Sequence, residues 1–153
     1  MKDTRFPAVL VSACLLGITC KYDGGDNRNE KVFRLNEKCH LIPVCPEQLG
    51  GLSTPRLPSE IRDGKVYASD GTDVTRAFVK GAQMTLQIGQ TFGCQCAIMK
   101  ARSPSCGCGL IYDGTFSGVK TEGDGMTASL LKKNGIQVYT EEKIDEFIRE
   151  GNL

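Results

Sequence analysis

The chain has 153 residues, of which 40% are hydrophobic and 24% charged, and a formal net charge of +1. That size supports one folded domain with its own core, and the aliphatic content excludes a disordered chain. The near-neutral balance excludes a strong basic field for nucleic acid, and no apolar run approaches the length of a membrane span.

Taken in chain order, FPAVLVSA (6–13) is a continuous apolar run, the pattern of a strand buried on both faces. NEKVFRLNEKCH (29–40) spaces Val32, Leu35 and Cys39 roughly as a short helix would. HLIPVCPE (40–47) is a second apolar strand ended by Pro46. Residues 48–72 hold Gly-Gly, Pro-containing turns and the hairpin-like IRDGKVYAS, with Asp63-Gly64 as its turn. The clearest helix is 73–92, where Val74, Phe78, Ala82 and Thr85 keep one face apolar or small and Thr72 or Asp73 would cap the start.

GCQCAIMKA (93–101) predicts a third strand, and GLIYDGTFSG (109–118) an extended piece followed by a turn. GMTASLLKKNGI (125–136) is a helix closed by Asn134-Gly135. IQVYT is a fourth strand, and EEKIDEFIREG is a last helix with acidic residues in its first turn. The alternation predicts a single α/β domain over residues 1–153, with a mostly parallel sheet flanked by helices in a three-layer, Rossmann-like arrangement. The N-terminus, MKDTRFPAVLVSACLLG, makes a poor signal peptide because Asp3 interrupts the positive region and Pro7 precedes a short apolar run. A cytoplasmic location is expected.

Eight cysteines are many for such a chain. Without a secretion signal, clustered thiols point to metal binding or chemistry more than to a disulfide framework. A single histidine, His40, excludes a Cys2His2 finger. Cys14 directly follows the first strand, Cys45 ends the second, and Cys106 lies in the Ser-Pro-Ser-Cys-Gly turn after the third. Ligands of open parallel sheets bind outside the carboxyl ends of the strands, so these three thiols are expected to converge. Gly107 is expected to leave room for a bulky group. The wide spacing lacks the tight C-x-x-C pairs of a structural zinc site and suits a cubane iron–sulfur cluster. Iron–sulfur, zinc, and buried or redox thiols all remain open on spacing alone.

The other cysteines have ordinary explanations. Cys96 would alternate into the strand core, Cys39 ends a helix and Cys20 sits in a loop, while Cys94 and Cys108 are core residues or spare ligands. Glu47, two residues after Cys45, would lie beside a metal there and could move protons; otherwise it caps the QLGG turn. Ser103 and Ser105 flank Pro104 and could hydrogen-bond into the site, or form an ordinary Ser-Pro turn. GDGMTA (123–128) is a weak dinucleotide pattern that follows no first strand, though it could offer a helix N-terminus to a ligand.

Taken together and in order, VSACLLG, K-Y-D-G, PVCPEQLGGL, GTDVTRAFVKGA, KARSPSCG and YDGTFSG resemble the thiouracil desulfidase (TudS-like) family over residues 8–140. The resemblance implies a [4Fe-4S] cluster held by Cys14, Cys45 and Cys106, with one iron left open for the sulfur of a thiolated pyrimidine. It implies proton transfer by Glu47 and Ser103, and the expected reaction is non-redox hydrolysis of C=S to C=O with release of hydrogen sulfide. Tyr22 and Ser105 are candidate substrate contacts. Lys21 stands where an Arg is common before the YDG motif, which bears on substrate contacts. The expected partner is a small thiopyrimidine, with neither membrane nor nucleic acid. The competing expectation is a non-catalytic zinc- or iron–sulfur-binding module with a structural or sensing role.

Overall fold

In the computed structural model, which describes residues 6–151 and 153, the first apolar run forms strand β1, Ala8–Ser12, with Val9 to Ser12 all buried. Residues 1–5, which carry the charged half of the signal-peptide argument, lie outside the described residues. A short helix α1, Glu30–Arg34, follows, capped by the Asn29 side chain on the Val32 N–H. Strand β2 is His40–Val44, and it stops there because Cys45-Pro46 opens a one-turn helix, α2, Pro46–Leu49. The sequence places residues 46 and 47 at the end of the strand and 48 onward in turns; four residues carry no periodicity to find, and Pro at the first helical position is the only cue.

The Asp63-Gly64 turn joins antiparallel strands β3, Ser59–Arg62, and β4, Lys65–Ala68, as expected. Helix α3, Thr75–Thr91, buries Phe78, Gly81, Ala82, Thr85 and Gly89, which share one face at helical spacing. The N-cap residue is Val74, not Thr72 or Asp73, and it makes no side-chain capping bond; Asp73 Oδ1 instead accepts the N–H of Thr75, the first helical residue, at 2.9 Å. Strand β5, Cys96–Met99, is fully buried. Strands β6, Leu110–Tyr112, and β7, Lys120–Glu122, form a second small hairpin, and the exposed Lys-Thr-Glu of β7 has no apolar pattern that could announce it. Helix α4, Met126–Lys133, strand β8, Gln137–Thr140, and helix α5, Ile144–Arg149, complete the chain.

The main sheet runs β2-β1-β5-β8, all parallel. Both faces are covered, which is why β1 and β5 read as unbroken apolar runs. Val9, Val11, Cys96 and Ile98 face a core completed by Val32 and Leu35 on one side of the chain and by Ile144 and Phe147 of α5. Leu10, Ala97 and Met99 face the other core with Leu131 of α4. Pro43 is tolerated because β2 is an edge strand. The expected α/β architecture with its parallel sheet and flanking helices is the observed one. Among the described residues no helix is long and apolar enough to cross a membrane.

One close approach in this framework sets the position of the β2 end. Helices α2 and α3 cross at Gly50 and Gly81. A Cβ on Gly81 would lie 1.9 Å from the Pro46 carbonyl oxygen, and one on Gly50 would lie 2.0 Å from that of Ala77. Backbone cannot yield as a flexible side chain does. Gly81→Ala is therefore expected to cost about 1–3 kcal/mol or more in stability, the range for forcing extra atoms into a packed interior. Because the displaced carbonyl belongs to the residue between Cys45 and Glu47, the same variant should lose thiol-dependent function. Denaturant titration alongside an activity assay checks both.

Candidate active site at the carboxyl ends of the strands

In the sheet order the chain departs from β1 in both directions, first to β2 and later to β5, so the crevice above the β1 carboxyl end is a topological switch point. Strand β1 runs directly into a 3-10 turn, Ala13–Leu16, carrying Cys14. Gly17, at φ 91°, turns the chain, and the Asn27 N–H bonds the Cys14 carbonyl at 3.0 Å. That loop brings Cys20 back into the interior, only 2% exposed. Cys45 is the N-cap residue of α2, and Glu47 lies in its first turn. The Ser12 hydroxyl accepts the Lys100 N–H at 2.8 Å and so ties the exits of β1 and β5 together.

The Ser-Pro-Ser-Cys-Gly turn has its purpose explained by its hydrogen bonds. Ser103 Oγ accepts the N–H groups of Ser105 at 3.1 Å and Cys106 at 3.0 Å. The Gly107 N–H closes the turn on the Ser103 carbonyl at 2.8 Å. A Cβ on Gly107 would lie 2.7 Å from that carbonyl oxygen, so the missing side chain makes room for the chain itself and not for a ligand. The first N–H groups of α4, from Met126, Thr127 and Ala128, bond the carbonyls of Pro104 and Ser105 at 2.8–3.1 Å. The helix N-terminus expected from GDGMTA to face a ligand is thus spent on the turn, and it locks Cys106 in place.

These elements enclose a cavity of about 570 Å³ lined by Cys14, Cys20, Cys45, Glu47, Arg56 and Cys106, among others. Ser103, Ser105 and Lys100 also line it, with Tyr22 and Phe116 at 41% and 38% exposure. Cys14, Cys45, Cys106, Glu47, Ser103, Tyr22 and Ser105 therefore all reach this one cavity, while the spare-ligand candidates Cys94 and Cys108 do not. Among the described residues no three His, Cys, Asp or Glu side chains gather tightly enough for a single metal ion. Cys14, Cys45 and Cys106 stand around a shared space instead.

The thiols differ in character. Hydrogen bonding from Cys20 pulls the Cys45 thiol down to about 6, against its burial, helped by the Gln48 N–H and by Arg56. Cys14 is also lowered, first by Cys20, then by Asn27 and Lys100. Cys20, hydrogen-bonded between both neighbours, is pushed far up by them and by burial. Burial raises Cys106 to about 12, against hydrogen bonds from Ser12 and Ser105. Two thiols whose surroundings favour the charged form, and one buried thiol that a cation would deprotonate, make a soft donor set.

A polar chain crosses the cavity wall. Glu47 Oε1 accepts the Arg56 Nε–H at 2.9 Å, and the two side chains are 15% and 8% exposed. Glu47 Oε2 lies 3.1 Å from Ser105 Oγ, which lies 3.0 Å from Ser103 Oγ and 3.5 Å from Cys106 Sγ. Both lone pairs of Ser103 Oγ are taken by backbone N–H groups, so its own proton can only be donated onward. The chain is directed from Ser103 to Ser105 to Glu47, with Ser105 as the direct contact. Cys39, Cys94 and Cys96 are core residues. Cys108 lies apart, 3.8 Å from Lys132 Nζ and 3.7 Å from the Val138 carbonyl. Sequence reasoning missed Cys20 and Arg56 as part of the site. A second Cys six residues after Cys14, across a glycine turn, was the one available signal; Arg56 in TPRLP carries none.

A doubly covered parallel sheet with a cavity at its switch point, lined by thiols and a carboxylate, defines the class: an α/β protein with its site at the strand ends. Residues 9–143 match the model of the 2-thiouracil desulfurase family, and the chain belongs to that family. It is 41% identical over 150 residues, 92% of this chain and 99% of the relative, to the uncharacterized protein YbbK of Bacillus subtilis (strain 168). Its fold is similar to a solved structure described as the [4Fe-4S]-dependent thiouracil desulfidase TudS, with a TM-score of 0.89 and 39% identity, covering 94% of this chain and 97% of that one.

Proposed function

We propose that this chain is a [4Fe-4S]-dependent desulfidase that hydrolyses the C=S of a thiolated pyrimidine such as thiouracil to C=O, releasing hydrogen sulfide. The observation that carries this is the meeting of three strand-end thiols and a partly buried carboxylate in one cavity. Cys14, Cys45 and Cys106 are the three cluster ligands in this reading. A cubane takes each thiolate on a different iron, so its ligands stand around a volume and not around one point, in keeping with the spread of these thiols. When bound, the cluster supplies a Lewis-acidic iron for the thiocarbonyl sulfur.

The protein's own groups then account for the protons. Glu47, fixed by Arg56, takes a proton from the attacking water through Oε2 or through Ser105. The departing sulfide takes back the proton held by Glu47 and the second proton of the attacking water, while Ser103, donating to Ser105, completes the proton-transfer chain and orients it on Oε2. The balance is one water consumed and one hydrogen sulfide formed, with no electron exchanged. Cys20, kept neutral, donates its S–H toward Cys14 and Cys45 and supports their thiolate form. Tyr22 and Ser105 meet the substrate. Residues 1–153 act as one catalytic domain in the cytoplasm on a small thiopyrimidine. The low net charge supports a small partner over a nucleic acid.

The test is anaerobic purification with iron and sulfide analysis, followed by incubation with 2-thiouracil. A brown protein with about four irons per chain that forms uracil and hydrogen sulfide in equal amounts without a reductant is the expected result. A colourless zinc protein, or a cluster-loaded one that forms no uracil, refutes the proposal.

A further inference from the structure

Arg56 is one of the least exposed charged side chains in the molecule's ion pairs, at 8%, and no motif announces it. It follows α2 on the loop that leads to β3. Its backbone N–H bonds the Tyr22 carbonyl at 2.7 Å. Its guanidinium makes four further bonds in different directions. Nε holds Glu47 Oε1 at 2.9 Å, and one terminal nitrogen holds the Cys20 carbonyl at 2.9 Å. The other terminal nitrogen holds Thr54 Oγ1 at 2.8 Å and the Ser53 carbonyl at 3.3 Å.

The planar fork of a guanidinium can do this where an ammonium cannot, because its N–H directions are fixed in one plane. One group thus couples the carboxylate of α2, the loop carrying Cys20 and Tyr22, and its own loop. Glu47 Oε1 is committed to Arg56, and this leaves Oε2 alone toward Ser105 and the cavity. Four of the five N–H donors of Arg56 are spent on protein acceptors, and the Nε–H is the one on Glu47, which argues for a role through that carboxylate.

We infer that Arg56 is a positioning residue for the desulfuration: it fixes the Glu47 carboxylate so that only Oε2 is presented to the water and the Ser105–Ser103 chain. This rests on the function proposed above. Misplacement of a catalytic group by about 1 Å costs on the order of 100-fold in rate. Arg56→Ala, reconstituted anaerobically, is therefore expected to lower kcat by about that factor. KM for 2-thiouracil and the iron content should stay close to wild type. Added guanidinium chloride should recover part of the lost kcat, and Arg56→Lys should fall between the two. Independently of activity, Arg56→Ala should lower the melting temperature of the cluster-loaded protein, and Glu47→Gln added to it should restore part of the loss, because the single variant strands a partly buried carboxylate.

An unchanged kcat in Arg56→Ala, iron lost in proportion to activity, or strictly additive melting shifts would each overturn the assignment. A wild-type protein that holds its cluster and yields no uracil would instead refute the functional reading itself, whatever the melting data say of the Arg56–Glu47 pair.

Discussion

Replacing Cys14, Cys45 or Cys106 singly with alanine is expected to abolish iron retention and desulfuration together. Activity should fall by more than about 100-fold, since the Lewis acid that polarises the thiocarbonyl is worth several kcal/mol. The three sites come from three different strands, so no neighbour can substitute for a lost thiolate without moving a strand end. Cys20 is the closest thiol to Cys14 and Cys45 in hydrogen-bonding terms, but it is strongly held neutral and occupies the donor's place between them. Cys39→Ala and Cys96→Ala are the controls. Both thiols lie in the core on the α5 side of the sheet, away from the cavity lining, and both variants should keep iron and activity. Iron analysis, visible absorption and circular dichroism on the five variants check the prediction. Full iron in any of the three strand-end variants would remove that cysteine from the ligand set.

The sequence made the main sheet legible because burial on both faces writes itself as unbroken apolar runs, as in AVLVS and CAIM. From there the strand-end rule located Cys14, Cys45 and Cys106 without coordinates. What it could not show was how loops fold back. Cys20 returns to the site only because Gly17 turns the chain and Asn27 and Asn29 bond the carbonyls of Cys14 and Leu15. Arg56 enters through a loop whose composition reads as turns. The helix start at GDGMTA was visible, but its role as the clamp on the Cys106 turn depends on backbone carbonyls, which have no signature in sequence. Gly81 lies on the packed face of α3, and its close approach to the Pro46 carbonyl makes it a determinant of where Cys45 and Glu47 stand.

Glu47→Gln is the change that isolates the proton chemistry from the metal. The amide keeps the shape of the carboxylate but cannot take a proton from water, and general acid–base groups are worth about 10²–10⁴-fold in rate. The expected outcome is a kcat lowered by at least about 100-fold with iron content and visible absorption unchanged. Stability should fall as well. Arg56 would keep its charge in a site where it is 8% exposed and lose its only carboxylate partner among the described ion pairs. Breaking one side of a buried pair costs about 3–5 kcal/mol, softened here because Arg56 retains its bonds to the Cys20 and Ser53 carbonyls. Rate and stability must therefore be measured on the same preparation, at a temperature well below the lowered melting point. If Glu47→Gln turned over thiouracil at the wild-type rate with the cluster present, the attacking water would have to be activated elsewhere, and Ser105, 3.1 Å from Oε2, would be the next group to replace.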